Sequence, residues 1–136
     1  MKQEEIYIDD EEQDRKSSFF FDSYAFFEII KENKNYLSYL SAEITTTKLN
    51  IFELYHGFLK DGQEELAKVS LDKYYDFAVD FDKDTIEEAA KLKHKLNKRD
   101  VSMVDCFGYV LAKQLGIKFL TGDKEFEGMD NVEFVK

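Results

Sequence analysis

Apolar positions along this chain fall into two alternating patterns, short continuous runs and longer stretches at helical spacing. Phe19-Phe20-Phe21 is a continuous run ended by Asp22-Ser23 and predicts a buried strand. Tyr24 to Lys31 follows as a helix, with Phe26, Phe27, Ile29 and Ile30 inward. Asn33 to Ser41, carrying Tyr36, Leu37, Tyr39 and Leu40, predicts a second short helix, and the β-branched stretch Glu43 to Thr46 a strand. Thr47 caps a helix from Lys48 to Leu59 with Leu49, Ile51, Phe52, Leu54, Tyr55 and Phe58 on it, ending near Asp61-Gly62. Gln63 to Asp76 predicts a helix burying Leu66, Val69 and Tyr74, and Phe77 to Phe81 a further strand. A helix starts at Asp82 or Asp84 and runs through Asn97, acids early and lysines late, as the helix dipole favours.

Ser102 to Asp123 closes the pattern. Ser102 caps a helix on which Met103, Phe107, Val110, Leu111 and Leu115 recur, Gly116 stops it, Ile117 to Thr121 is a strand, and Gly122-Asp123 ends it. Val132 to Val135 makes a last edge strand. Strands alternating with helices predict an α/β fold with a mainly parallel central sheet flanked by helices. In such sheets ligands gather at the carboxyl ends of the strands, where Asp22 and Asp123 fall.

Two further acids lie where apolar residues are expected. Asp105 sits in the first turn of a helix between Val104 and Cys106-Phe107, and Glu53 lies amid the apolar set of its own helix. Each has a local explanation alone: Ser102-x-x-Asp105 is a capping pattern, Glu53 fits a half-exposed helix face, and Asp22 can cap the helix after it. Four carboxylates converging at roughly 5 Å would repel by about 3 kcal/mol per pair at an effective dielectric near 20. Raised pKa values or a bound cation would relieve that. With oxygen ligands alone the cation would be hard, Mg²⁺ or Mn²⁺, and the natural chemistry is phosphodiester hydrolysis by an activated water.

Composition narrows the setting. The chain's 136 residues, 43% hydrophobic and 15% aromatic, suit one globular domain. The single Cys106 excludes an internal disulfide framework, reads as a small buried hydrophobe and fits a reducing cytoplasm. The sequence shows no membrane-spanning run and no signal-peptide core. Residues 1–16 hold seven acids against three basic residues, a net of −4, around Ile6-Tyr7-Ile8, too little to bury. Residues 1–18 are therefore expected to be an acidic mobile tail, and 19–136 the domain.

A net charge of −10 argues against nonspecific duplex binding but not against a metal-assisted nuclease. Lys91, Lys93, Lys95, Lys98 and Arg99 form a basic run that reads either as a solvated helix end or, at Lys98 and Arg99, as an RNA-phosphate contact. His56 and His94 read as surface residues.

Phe19-Phe20-Phe21-Asp22-Ser23, Thr45-Thr46-Thr47 leading to Phe52-Glu53-Leu54-Tyr55-His56-Gly57, Val101-Ser102-Met103-Val104-Asp105, and Leu120-Thr121-Gly122-Asp123-Lys124-Glu125-Phe126 resemble, in this order, the PIN-domain nucleases, and most of all VapC-type toxins. The resemblance covers residues 19–136. It implies a PIN fold, a divalent-metal-dependent endoribonuclease cleaving single-stranded RNA, and a toxin partnered by an antitoxin and forming a homodimer. Asp22, Glu53, Asp105 and Asp123 match the metal-binding acids, which would hold Mg²⁺ or Mn²⁺; Thr121 matches the small hydroxyl residue beside them, and Ser23 is a weaker match. Glu125 has no spacing support for direct ligation. The same resemblance admits an RNA-maturation nuclease without antitoxin, or an inactive PIN-like binding module. A phospho-receiver start at Ile6-Tyr7-Ile8-Asp9-Asp10-Glu11 fails, because its phosphate-accepting aspartate and its lysine-proline pair are both missing from this proline-free chain.

Overall fold

The computed structural model describes residues 17–136, so the expected tail lies almost wholly outside the described residues. Among these residues four strands form one sheet: β1 (Ser18–Phe21), β2 (Glu43–Thr45), β3 (Lys118–Thr121) and β4 (Val132–Phe134). Their spatial order is β2-β1-β3-β4, and every pairing is parallel. The register sets Phe20 beside Phe119 and Phe21 beside Leu120. The chain leaves β1 toward β2 on one side and later returns to β3 on the other. A topological switch point therefore lies between the carboxyl ends of β1 and β3.

Among the described residues five α-helices flank the sheet: α1 (Ser23–Ile30), α2 (Lys48–Lys60), α3 (Glu64–Tyr74), α4 (Lys83–Lys95) and α5 (Met103–Leu115). Alternation along the strands divides the core in two. Phe20 and Phe119 pack with Ala89 of α4 and with Cys106, Tyr109 and Ala112 of α5. Phe21 and Leu120 pack with Phe26 of α1, Ile51, Leu54 and Phe58 of α2, and Ala67 and Tyr74 of α3. The result is the α/β architecture expected, a fully parallel sheet between two helical layers.

Side-chain caps explain the starts of α2, α4 and α5. Thr47 accepts the Asn50 N–H, Asp82 accepts the Thr85 N–H, and Ser102 accepts the Asp105 N–H. Gly116, at φ 71°, ends α5 in the left-handed conformation that glycine adopts without steric cost. Gly108 lets α5 lie close to the sheet: a Cβ there would stand 2.7 Å from the Phe20 ring and 2.9 Å from that of Phe119.

Several expectations need correction. Phe77 to Phe81 is no strand, because its ladder stops at a single bridge between Thr46 and Ala78 and Tyr75–Phe77 coils into a 3-10 turn. Residues Lys34–Tyr39 form a 3-10 turn, which leaves Leu37 and Leu40 exposed. Met103 and Leu115 sit at the ends of α5 and are also exposed, so helical spacing overcounts the core by its termini. On α3 the inward positions are Ala67, Ser70 and Tyr74, whereas Val69 faces outward. Among the described residues no helix is long and apolar enough to cross a membrane.

Candidate active site

Asp22 follows β1 directly. Its N–H continues the sheet by donating to the Leu120 carbonyl at 3.1 Å, and only 2% of the residue is exposed. Its Oδ1 accepts the Ser23 N–H at 2.9 Å, capping α1, and its Oδ2 accepts the Thr121 hydroxyl at 2.7 Å. Thr121, the last residue of β3, is fully buried and its Oγ1 also accepts the Asp123 N–H at 3.1 Å. Asp123 caps a 3-10 turn, Lys124–Phe126, with Oδ1 accepting the Glu125 N–H at 3.0 Å. Glu125 thus supports Asp123 through its backbone. Gly122 between them has no room for a side chain, since a Cβ would meet the Val135 carbonyl and the Tyr24 ring.

Glu53 reaches the same edge from α2. It is half-buried, and its Oε1 accepts the Ser23 hydroxyl at 2.6 Å. Asp105 arrives from the first turn of α5, where a capping box holds it: the Ser102 N–H donates to Asp105 Oδ2 at 2.9 Å. The capping reading of Ser102-x-x-Asp105 is therefore correct, and it coexists with a place at this edge.

Electrostatics link the four acids. Burial first, then the nearby charge of Asp105 and the more weakly felt charge of Glu53, push the Asp22 carboxyl well above the usual carboxylate range, against the hydrogen bonds from Thr121 and Ser23. Glu53 is raised by burial, with Asp105 adding to it, and Asp105 is raised by burial, with Asp123 and Asp100 adding to it. Asp105 and Glu53 thus act on Asp22, Asp105 acts on Glu53, and Asp123 acts on Asp105, at the carboxyl edge beside the switch point. Among the described residues, however, no group of three or more histidine, cysteine, aspartate or glutamate side chains closes into a metal-holding cluster. Glu53 turns to Ser23 and Asp105 to its own helix cap.

The remaining candidates sort by contact. Lys91 pairs with Glu87 and Glu88, and Lys93 donates to the Val101 carbonyl at 2.6 Å. Arg99 donates to the Glu125 carbonyl at 3.1 Å, which places the exposed Lys98-Arg99 pair beside the turn that carries Asp123. His56 stacks on Phe52 at the surface and His94 is exposed, as expected. Cys106 is buried in the core, and burial pushes its thiol up to about 11. One polar residue escaped sequence reasoning: Asn50, fully buried, whose Nδ2 donates to Ser23 Oγ at 3.0 Å. Its signal was the capping spacing Thr47-x-x-Asn50.

The profile of the family described as PIN domain matches residues 19–132. No curated protein matches the sequence. Among solved structures, the fold is similar to VapBC2 from Rickettsia felis bound to a DNA fragment from their promoter, at 17% identity and a TM-score of 0.67 over 88% of this chain and 99% of that one. It is similar to VapBC-5, a toxin-antitoxin system from Mycobacterium tuberculosis, at 21% identity and a TM-score of 0.63 over 88% and 98% of the two chains. A toxin-antitoxin complex from Klebsiella pneumoniae gives 18% identity and a TM-score of 0.63 over 84% and 94%. At these identities the likeness is one of fold.

Proposed function

Because this chain belongs to the PIN domain family, we propose that it is a divalent-metal-dependent endoribonuclease cleaving single-stranded RNA, the toxin half of a toxin-antitoxin pair. The observation carrying this reading is the set of four carboxyl groups at one sheet edge, with Asp22 buried among like charges. Asp22, Glu53, Asp105 and Asp123 would hold Mg²⁺ or Mn²⁺, partly through water. When bound, such an ion activates water and offsets charge on the phosphoryl group. Thr121 keeps Asp22 and the Asp123 backbone in fixed relation, and Ser23 does the same for Glu53. Lys98 and Arg99 would meet RNA phosphates next to Asp123 and offset the repulsion of an acidic protein.

The antitoxin reading draws support from the toxin-antitoxin structures that share this fold. An apolar groove of about 400 Å³ between α2 and α3, lined by Ile51, Phe52, Tyr55, Leu59, Leu71 and Tyr75, would take an apolar antitoxin segment.

The test is Mn²⁺-dependent cleavage of single-stranded RNA by the full chain. Asp105→Asn is expected to abolish cleavage while keeping its cap and its fold, since asparagine retains an acceptor for the Ser102 N–H. Full activity in that variant would falsify the assignment. A second reading, an inactive PIN-like binding module, is favoured by the lack of a closed metal cluster among the described residues. Millimolar Mn²⁺ raises the melting temperature of a functional site by mass action and leaves that of an inactive module unchanged.

A further inference from the structure

Glu53 lies at the end of a line of hydrogen bonds that passes through buried groups. Thr47 Oγ1 donates to Asn50 Oδ1 at 2.6 Å, Asn50 Nδ2 donates to Ser23 Oγ at 3.0 Å, and Ser23 Oγ donates to Glu53 Oε1 at 2.6 Å. Thr47 and Asn50 are fully buried, and Ser23 is 8% exposed. Thr47 is the N-cap of α2, with Asn50 and Glu53 on one face of that helix at successive three-residue steps. Ser23 opens α1 immediately after Asp22. The line therefore ties the start of α2 to the start of α1, and Glu53 to Asp22.

Proton counting gives the line a direction. A hydroxyl has one proton to donate, and an amide NH₂ group donates but does not accept. With Nδ2 of Asn50 toward it, Ser23 has no acceptor there and gives its proton to Glu53. With Glu53 ionised, the opposite amide orientation would draw the Ser23 proton to Asn50 Oδ1 and set two bare oxygens 2.6 Å apart at Glu53. Thr47 matches this orientation: its hydroxyl accepts the Asn50 backbone N–H at 3.2 Å and gives its own proton to Oδ1 at 2.6 Å.

We propose that Asn50 is a positioning residue that acts through Ser23 to hold Glu53 aimed into the acidic edge, with Oε1 occupied and Oε2 left for a cation. The inference rests on the metal-dependent reading above and deepens it. Asn50 touches neither cation nor RNA; its effect passes through one hydroxyl.

The experiment measures Mn²⁺ affinity of the full chain by the electron paramagnetic resonance signal of free Mn²⁺, for the wild type, Asn50→Leu, Ser23→Ala and the double variant, with melting curves in the absence of metal as the check of folding. Loss of a partner that orients a ligand typically weakens metal binding by about ten-fold or more. Each single variant is expected to show that loss, and the double variant no more than the weaker single, because both interrupt one line. Should Asn50→Leu not fold, Asn50→Ser, too short to reach Ser23, reads the same quantity. Wild-type affinity in a folded Asn50 variant, or losses that add in the double variant, overturns the proposal while the metal reading stands. A wild-type chain that binds no Mn²⁺ overturns both.

Discussion

The Thr121 hydroxyl donates to Asp22 Oδ2 at 2.7 Å, joining the carboxyl ends of the two central strands across the switch point. Replacing it with the near-isosteric Thr121→Val leaves a buried carboxyl oxygen and the Asp123 N–H without their partner. The expected cost is about 1–3 kcal/mol of stability, read from urea unfolding. The variant should also bind Mn²⁺ more weakly, and wild-type stability and affinity together would show that the bond holds neither acid.

Asp22 makes the metal-free protein sensitive to pH. Its folded carboxyl is raised by burial and by Asp105 and Glu53. The unfolded chain therefore loses this proton first as pH rises. The contribution to stability is full below the unfolded pKa and is lost as pH rises through the folded value. Asp22→Asn removes that loss. Melting without metal should show the variant above wild type at neutral pH, with the gap closing below about pH 4. A gap independent of pH would contradict the charge explanation.

Gly108 controls how closely α5, and so Asp105, approaches the sheet. Gly108→Ala forces its methyl against the Phe20 and Phe119 rings. Overpacking of this kind costs about 1–3 kcal/mol. Urea unfolding should show the loss and Mn²⁺ titration a weaker site; unchanged values of both would mean that the rings give way freely.

Lys98→Gln combined with Arg99→Gln should weaken binding of single-stranded RNA and flatten its salt dependence, since each phosphate contact releases counterions. Gel-shift titration at two salt concentrations reads both. Unchanged RNA affinity would leave the pair as a solvated helix end.

Phe52 is 69% exposed on the apolar groove between α2 and α3. The homodimer that the family resemblance implies should appear by size exclusion with light scattering. A wild-type monomer would refute the dimer, and a dimer that Phe52→Lys leaves intact would keep this groove free for the antitoxin segment.

The sequence alone determined most of the strand and helix order and the caps at Thr47 and Ser102, left Asp82 and Asp84 as alternatives for the next cap, and nominated the four acids, because these rest on local periodicity and on side chains that bond their own backbone. It misplaced the segment from Phe77 to Phe81, whose β-favouring residues met no partner strand beyond the bridge at Ala78. Tertiary structure alone decided that Asp22 and Asp123 flank the switch point, since the β2-β1-β3-β4 order depends on how two helical layers bury the faces of Phe20 and Phe21. It also decided what Asn50 does. A polar residue three positions after a cap reads as local capping, and only the packing of α2 against α1 turned its amide to a serine 27 residues away and through it to Glu53.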